Sequence, residues 1–241
     1  MSDTAPAPQF DWEAIDRVFL DMDGTLLDLH YDNHFWLEHV PRRFAESRGL
    51  TLEEAREDLL PRYSRIQGTL EWYCVDHWSR ELGLDIALLK SEVDHLIAVH
   101  PYVVEFLEAL AARGKRRVLV TNAHQKSIAL KMERTALAGH LEAVICAHDL
   151  ALPKESPAFW QAVQRIEPFD PARTLFVDDN LDVLRTARAA GFRWLLAITA
   201  PDSRNPARAI DEFPAVARFS ALLPQLRGAC TEADVPMPGQ L

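Results

Sequence analysis

Two carboxylates stand directly behind the first apolar run of the chain. The stretch VFLDMDGTLLD, residues 18–28, places Asp21 and Asp23 after the apolar residues 18–20, and Gly24 follows at once. An Asp-Gly pair by itself is typical of a turn. Carboxylates at the end of a buried strand are also typical of a site for a divalent cation and a phosphate group. The residues that follow the other apolar runs separate these two interpretations.

Polar residues follow three further apolar runs. Thr121 and Asn122 come after the second run, and Lys154 lies in the loop after the third. Asp178 and Asp179 come directly after the fourth run. Open α/β sheets bind their ligands at the carboxyl ends of the strands, near the point where the strand order reverses. We therefore expect these side chains to lie close to the first pair of aspartates.

The chemistry of this residue set is that of phosphoryl transfer. Four carboxylates in one place repel each other unless a cation lies among them, and carboxylate oxygens suit Mg²⁺. Thr121 and Asn122, at a helix N-terminus, offer hydrogen-bond donors to phosphate oxygens. Lys154 supplies a compact positive charge. Positioning and charge stabilisation dominate the catalysis of phosphoryl transfer, and this set could provide both.

Short apolar runs of the chain are predicted to be buried parallel strands. They lack polar alternation, as expected of a sheet that is covered on both faces. Helical patterns lie between them, so strand and helix alternate as in a doubly wound α/β fold with a parallel sheet. The predicted strands are residues 17–20, 117–120, 143–146, 174–177 and 193–198, and the intervening helices are residues 103–113, 125–135, 157–166 and 181–190.

One long segment, residues 29–100, carries helical patterns and no strand pattern. Thr51 and Glu54 have the spacing of a capping box at the start of one of its helices. We predict a four-helix insert, or cap, within a core formed by residues 13–28 and 101–227. A flexible leader, 1–12, and a flexible tail, 228–241, are predicted at the ends. The predicted helices of the insert are residues 33–48, 51–66, 70–82 and 86–99.

Composition excludes several classes of function. The 241 residues are 48% hydrophobic and 26% charged, as in a globular chain with one domain and an insert. The net charge of -10 argues against binding along a nucleic-acid polymer but leaves a single nucleotide open as a substrate. No apolar run approaches the roughly 20 residues that span a bilayer. We expect a cytoplasmic protein that is a monomer or homodimer and binds no membrane.

Cysteine and histidine residues show no spacing typical of a metal site. The three cysteines, an odd number, suit reduced thiols in the cytoplasm. Cys74 lies among aromatic residues and is predicted to be a small buried apolar residue. His124 follows the Thr-Asn pair and is predicted to lie on the surface at the start of a helix.

Four motifs in order resemble those of the haloacid dehalogenase (HAD) superfamily. They are DMDGT at residues 21–25, VLVTN at 118–122, LPKESP at 152–157 and LFVDDNLD at 175–182. The insert after the first motif resembles the helical first-type cap of that superfamily. The resemblance covers residues 17 to about 226. It implies a HAD-like Rossmannoid core with an inserted helical cap, and a Mg²⁺-dependent enzyme.

The resemblance implies a role for each residue at the strand ends. Asp21 is the expected nucleophile, which forms an aspartyl-phosphate. Asp23 is the expected general acid, which then acts as the base that activates water. Thr121 and Asn122 are expected to bind the phosphoryl group. Lys154 is expected to steady the nucleophile and the developing charge.

A magnesium site and a reaction class are implied as well. The expected ligands are the carboxylates of Asp21 and Asp179 and the main-chain carbonyl of Asp23, with Asp178 in or beside the coordination shell. Superfamily members that cleave carbon–halogen bonds lack an acid at the position of Asp23, because a halide needs no proton. The alkoxide that leaves a phosphate ester does need one, so a phosphatase is favoured over a haloacid dehalogenase.

A closer resemblance concerns the substrate. YDNHFW at residues 31–36, TLEWYCVDHW at 69–78 and VTNAHQ at 120–125 are similar to segments of the bacterial purine 5′-nucleotidases that prefer GMP and IMP. This similarity implies purine nucleoside 5′-monophosphates as substrates. Alternatives within the superfamily are a sugar-phosphate or phosphoglycolate phosphatase and a phosphomutase. A non-catalytic binding module is a further alternative.

Aromatic residues of the insert could recognise such a substrate. Bases stack on aromatic faces, although an aromatic residue in a small helical bundle more often belongs to the core. The candidates for substrate contact lie in the segments that carry the closer resemblance. They are Asn33, Trp36, Trp72 and Tyr73.

Overall fold

A six-stranded parallel sheet forms the centre of the computed structural model, which describes residues 7–228. The strands pair in the order β3-β2-β1-β4-β5-β6. Phe19 of the central strand lies opposite Val118 on one side and Phe176 on the other. The order reverses beside β1, which is where a doubly wound sheet opens its ligand crevice. The strands are β1 Arg17–Leu20, β2 Arg116–Thr121, β3 Ala143–Cys146, β4 Thr174–Asp178, β5 Trp194–Ile198 and β6 Ala215–Val216.

Helices cover both faces of the sheet. Val18 and Leu20 belong to one apolar cluster and Phe19 to another, because successive side chains of a strand point to opposite faces. No helix within residues 7–228 has both the length and the apolar character needed to cross a membrane. Helices of the core are α7 Val103–Ala112, α8 Gln125–Thr135, α9 Ala147–Leu150, α10 Pro157–Ile166, α11 Leu181–Ala189 and α12 Leu223–Arg227, with 3₁₀ turns at Leu137–His140, Pro171–Arg173 and Phe219–Ala221.

Between β1 and α7 the chain forms a helical insert with an apolar cluster of its own. Trp78, Phe35 and Phe44 are among the fully buried side chains of this cluster. The predicted capping box is present, since Thr51 Oγ1 accepts from the Glu54 N–H and Glu54 accepts from the Thr51 N–H at 2.8 Å. The insert contains α1 His30–His34, a π-helical turn Phe35–His39, α2 Val40–Arg48, α3 Leu52–Ile66, α4 Leu70–Tyr73, α5 Val75–Leu82, α6 Ile86–Glu92 and a 3₁₀ turn Asp94–Leu96.

Two predicted helices of the insert are interrupted. The predicted helix 70–82 breaks at Cys74, whose extended backbone lets its sulfur accept from the N–H of His77 and so cap α5. The predicted helix 86–99 ends early at Glu92. Beyond it the chain returns to the core, where the His100 N–H donates to the carbonyl of Leu26 at 2.9 Å. Tertiary hydrogen bonds therefore replace the last helical turn.

Pro8 to Trp12 pack on the core, although the sequence predicts a flexible leader over 1–12. The side chain of Gln225 accepts from the Phe10 N–H at 3.1 Å and donates to the Pro8 carbonyl at 2.8 Å. Trp12 is buried and meets the ring of Phe106 edge-on. Burial of two aromatic rings offsets the entropy of ordering this stretch. Residues 1–6 and 229–241, the rest of the predicted leader and nearly all of the predicted tail, lie outside the described residues.

Candidate active site

The residues predicted from the four motifs converge at the carboxyl ends of β1, β2 and β4. Carboxylate oxygens of Asp21, Asp178 and Asp179 lie within 4.8 Å of one another. The convergence follows from the strand order, because β2 and β4 flank β1 on either side. All of the predicted core residues line one cavity of about 750 Å³, namely Asp21, Asp23, Thr121, Asn122, Lys154, Asp178 and Asp179.

A buried lysine bridges two of these carboxylates. Lys154, only 2% exposed, donates from Nζ to Asp21 Oδ1 at 2.5 Å and to Asp178 Oδ2 at 2.7 Å. The same ammonium group lies 3.3 Å from the carbonyl oxygen of Val120. Burial disfavours its charge, but Asp178 and Asp21 outweigh burial and raise the pKa of Lys154 above its ordinary value. Lys154 is therefore a permanent cation at the end of the central strands.

One ammonium group does not compensate the three carboxylates, of which Asp21 and Asp178 are buried and Asp179 is partly buried. Burial raises the pKa of Asp21 to about 7, against the opposing effect of Lys154. Burial and then the charge of Asp21 raise the pKa of Asp179 to about 7. Burial likewise raises the pKa of Asp178 to about 6. These three oxygen donors suit a hard divalent cation, which would relieve their mutual repulsion.

Asn122 connects the second motif to the third. Its Oδ1 accepts from the main-chain N–H of Lys154 at 2.8 Å, and its Nδ2 donates to Glu155 Oε2 at 2.9 Å. Thr121, the last residue of β2, is 1% exposed, and its hydroxyl oxygen accepts from the Ala123 N–H at 3.0 Å. The side-chain oxygen and nitrogen of Asn122 are thus both hydrogen-bonded within the protein, so Asn122 positions the loop that carries Lys154.

Gly24 permits the close turn behind the first motif. Its φ of +84° favours glycine, and its N–H donates to the carbonyl of Leu27 at 2.7 Å. A Cβ at this position would lie 2.8 Å from Asp179 Cγ and 3.0 Å from Pro201 Cβ. The chain can therefore bring Asp179 against the first motif only because residue 24 has no side chain.

Asp23 belongs to a second charge network that sequence reasoning missed. Lys131 donates from Nζ to Asp23 Oδ1 at 2.7 Å and to Asp32 Oδ2 at 2.6 Å. Lys90 donates to the other oxygen of Asp32 at 3.0 Å. Burial raises the pKa of Asp23, and Lys131 opposes this shift. Burial acts against the charge of Asp32 as well, but the two lysines outweigh it and lower the pKa of Asp32 to about 2.

Part of this network has a signal in the sequence. Lys131 follows Ser127 by four residues on α8, and both side chains are buried, so a lysine occupies the inward face of a helix. A second residue that sequence reasoning missed, Arg208, donates to the carbonyl of Asp179 at 2.8 Å. It lies 29 residues from Asp179 in a segment without regular structure, where no pattern marks it.

The four candidate residues of the insert are also brought together. They line a second cavity of about 270 Å³, to which Asp23, Asp32 and Lys90 contribute. Trp72 and Tyr73 line the larger cavity as well, so the two spaces adjoin. The residues from the prediction are Asn33, Trp36, Trp72 and Tyr73.

Each of these four residues also has a structural contact. The rings of Trp36 and Trp72 are stacked with centroids 6.3 Å apart. The Tyr73 hydroxyl donates to Glu155 Oε1 at 2.7 Å, and Asn33 donates to Asp202 at 2.7 Å. Tyr73 therefore ties the insert to the loop that carries Lys154.

Comparisons with known proteins show a family and several similar proteins. The family of haloacid dehalogenase-like hydrolases matches residues 15–191. GMP/IMP nucleotidase YrfG of Escherichia coli (strain K12) is 40% identical over 215 residues, which cover 89% of this chain and 97% of that protein. Phosphoglycolate phosphatase 1 of Pseudomonas aeruginosa is 26% identical over 183 residues, covering 73% of this chain and 66% of that protein.

Solved structures share the fold. A HAD phosphatase from Thermococcus onnurineus superposes with a TM-score of 0.74 at 21% identity, covering 89% of this chain and 98% of that one. This likeness confirms the predicted α/β fold. The family match likewise confirms the resemblance that the four motifs predict.

Replacement of Lys131 by methionine is expected to destabilise the protein strongly. Lys131→Met removes a buried ammonium group and leaves Asp23 and Asp32, which are partly exposed, with less compensation. Breaking a fully buried pair costs about 3–5 kcal/mol, and we expect a cost towards the lower end of this range. Urea unfolding followed by circular dichroism measures the free energy of unfolding.

Lys126→Met is the matched control, because Lys126 lies on the same helix and its ion pair with Asp76 is exposed. Its expected cost is within about 0.5 kcal/mol. The double variant Lys131→Met/Asp32→Asn should have a higher free energy of unfolding than Lys131→Met alone. Equal stability of the two single variants would contradict the proposed importance of the buried network.

Proposed function

Because the chain belongs to the haloacid dehalogenase-like hydrolases, we propose that it hydrolyses phosphate monoesters, preferentially purine nucleoside 5′-monophosphates such as GMP and IMP. The observation that carries the proposal is the bridge from Lys154 to Asp21 and Asp178 in the larger cavity. The bridge holds a carboxylate nucleophile and a fixed cation beside the carboxylates that suit a metal ion. The 40% identity with the nucleotidase of Escherichia coli supports the choice of substrate.

Asp21 is the proposed nucleophile of a two-step reaction. In the first step its carboxylate attacks phosphorus, the ester P–O bond breaks, and Asp23 protonates the departing alkoxide. In the second step Asp23 takes a proton from water, which attacks phosphorus and releases Asp21 and inorganic phosphate. Lys154 stabilises charge beside Asp21, and Thr121 is placed to hold the phosphoryl oxygens.

The surroundings of Asp23 support its role as an acid. Burial raises the pKa of this carboxyl group, which favours the protonated form that a general acid requires. Its Oδ1 is held by Lys131, so its orientation is fixed from the core side. A haloacid dehalogenase would not need a proton donor here, and this favours an ester of phosphate as the substrate.

Mg²⁺ is the proposed cofactor. The donor set fits it, since Asp21, Asp178 and Asp179 present oxygens within 4.8 Å of one another. The main-chain carbonyl of Asp23 is proposed as a further ligand. When bound, Mg²⁺ would neutralise negative charge on the phosphoryl oxygens and would help to hold phosphorus within reach of the nucleophile.

The smaller cavity is the proposed place of the base. It adjoins the larger cavity through Trp72 and Tyr73, so a substrate with its phosphate at Asp21 could extend into it. Asn33 and the Asp32–Lys90 pair supply polar groups there. Trp36 and Trp72 both pack against several rings of the insert, but only Trp72 borders both cavities. Trp72 is therefore the preferred candidate for stacking on a purine.

A panel of phosphate esters tests the reaction and the substrate class. We expect phosphate release with Mg²⁺ to be fastest from GMP and IMP, slower from AMP, CMP and UMP, and slowest from sugar phosphates and phosphoglycolate. Asp21→Asn should reduce all of these rates to background, which is very low for phosphate monoesters.

The other outcomes separate the alternatives. Fast release from phosphoglycolate or a sugar phosphate, lost in Asp21→Asn, would keep the mechanism and reject the nucleotidase assignment. No release from any ester would favour a binding module, and chloride release from a haloacid would favour a dehalogenase.

Trp72→Ala tests the role of the smaller cavity. We expect KM for GMP to rise about tenfold, since stacking of a base on an aromatic ring contributes about 1–3 kcal/mol. The rate with a small ester such as p-nitrophenyl phosphate should change little. Trp194→Ala, which removes a tryptophan that lines neither cavity, is the control. An unchanged KM for GMP in Trp72→Ala would exclude stacking on this residue.

Thermal unfolding tests the metal site. A hundredfold excess of Mg²⁺ over its Kd should raise Tm by roughly 5–10 °C. Asp179→Asn should abolish this increase, and it should raise Tm without metal because it removes one repelling carboxylate. Asp182→Asn is the control, since that side chain lies three residues further along, in the first turn of α11, and is 74% exposed. A full Mg²⁺ response in Asp179→Asn would contradict the proposed ligand set.

A further inference from the structure

Sulfur and nitrogen donors meet at a second place, on the boundary between the insert and the core. One ligand atom each from Cys74, His124 and His148 lies within 4.8 Å of the other two. Cys74 joins α4 to α5 in the insert, His124 precedes α8, and His148 lies in α9. They are separated by 50 and 24 positions in the sequence, which explains why no spacing marks them. His124, predicted to lie on the surface, is 8% exposed.

The imidazole of His148 has an unmet bonding capacity. Its Nε2 is buried and has no hydrogen-bond partner among residues 7–228. A buried polar atom without a hydrogen-bond partner is unfavourable, so a ligand bound to this nitrogen would remove that cost. The ring lies edge-on to that of His124, with centroids 4.9 Å apart. Burial lowers the pKa of both imidazoles, which therefore favour the neutral form that binds metals.

A carboxylate lies beside one ring nitrogen of His124. Its Nε2 lies 3.6 Å from Asp76 Oδ2, and a carboxylate commonly orients a ligating histidine from its far nitrogen. Nδ1 is then the nitrogen left for a metal, and its present contact is a long bond of 3.3 Å from the Lys126 N–H. Cys74 Sγ likewise has only a weak contact, 3.3 Å from the N–H of His77.

We propose that Cys74, His124 and His148 form a binding site for one borderline-soft divalent transition metal, for which Zn²⁺ is the best fit. A thiolate and two imidazoles are the donors that Zn²⁺ prefers, with water in the fourth position of a tetrahedron. On binding, the thiol proton of Cys74 is released to solvent as the sulfur–metal bond forms. Partial exposure of Cys74 and His148 gives the ion a path from solvent.

The proposed Zn²⁺ site differs from the carboxylate site, formed by Asp21, Asp178 and Asp179, in its ligands and in the effect that a bound ion would have. Mg²⁺ prefers oxygen ligands, so the two sites select different ions. The ligands of the proposed Zn²⁺ site come from both the insert and the core. One of them, Cys74, follows Tyr73, which lines the larger cavity. A bound ion would therefore cross-link the insert to the core beside that cavity. The inference goes beyond the proposed phosphatase activity and does not depend on it.

Co²⁺ is the probe for this site, because thiolate ligation gives it a near-ultraviolet charge-transfer band and tetrahedral geometry gives it intense visible bands. Titration of the metal-free full-length protein should develop both features to one equivalent. Zn²⁺ should then remove them, and excess Mg²⁺ should not. Cys74→Ser should lose the charge-transfer band. Cys146→Ser should keep it, since that buried thiol faces the carbonyl of Ala123.

Three further variants separate a proposed ligand from residues outside the site. Cys230→Ser, at a position outside the described residues, should keep the charge-transfer band. His148→Gln retains the Cys74 thiol and should weaken Co²⁺ affinity at least about tenfold. Asp21→Asn should keep both spectral features unchanged, which separates this site from the carboxylate site. Circular dichroism of each variant without metal establishes that it is folded.

Thermal unfolding provides a readout that does not depend on absorption. Zn²⁺ should raise Tm of the wild type and not that of Cys74→Ser. Absence of the charge-transfer band in the wild type would overturn the proposal. Equal Co²⁺ affinity in the wild type, Cys74→Ser and His148→Gln would overturn it as well.

Discussion

The structure depends on one buried cation placed among carboxylates. Lys154 lies between Asp21 of the first motif and Asp178 of the fourth, and these two aspartates end neighbouring strands. Without the ammonium group, two buried carboxylates would face each other at the centre of the sheet, which is costly. The strand order and the amide of Asn122 bring these three charges together, and the turn at Gly24 lets Asp179 approach them. The remaining negative charge is what makes a divalent cation a fitting occupant.

A second set of buried charges connects the insert to the core. Asp32 and Lys90 belong to the insert, whereas Lys131 and Asp23 belong to the core, and Lys131 contacts both aspartates. The electrostatic surroundings of Asp23 therefore depend on where the insert lies. In the proposed reaction, the residue that donates the proton is thus held by a lysine that also contacts Asp32 of the insert.

The residues at the strand ends could be predicted from the sequence, because apolar runs mark the strands and reactive polar side chains follow them directly. Apolar runs of four to six residues end in reactive side chains. The observed strands β2 and β4 each extend by one residue at the carboxyl end, to include Thr121 and Asp178. Contacts between distant segments were not predictable. Lys131 lies 108 positions from Asp23, and no local pattern shows which partner a buried lysine will meet. The two-residue strand β6 is too short to give a pattern, and the break at Cys74 arises from a side-chain cap.

Rapid-quench mass spectrometry of the protein during turnover with GMP tests the central claim most directly. If Asp21, held by Lys154, is the nucleophile, acid quenching should trap a phosphoryl group on the peptide that contains Asp21. That species should form and decay at rates consistent with turnover, and Asp21→Asn should show none. Phosphate release at an undiminished rate from Asp21→Asn, with no phosphorylated peptide in the wild type, would contradict the account.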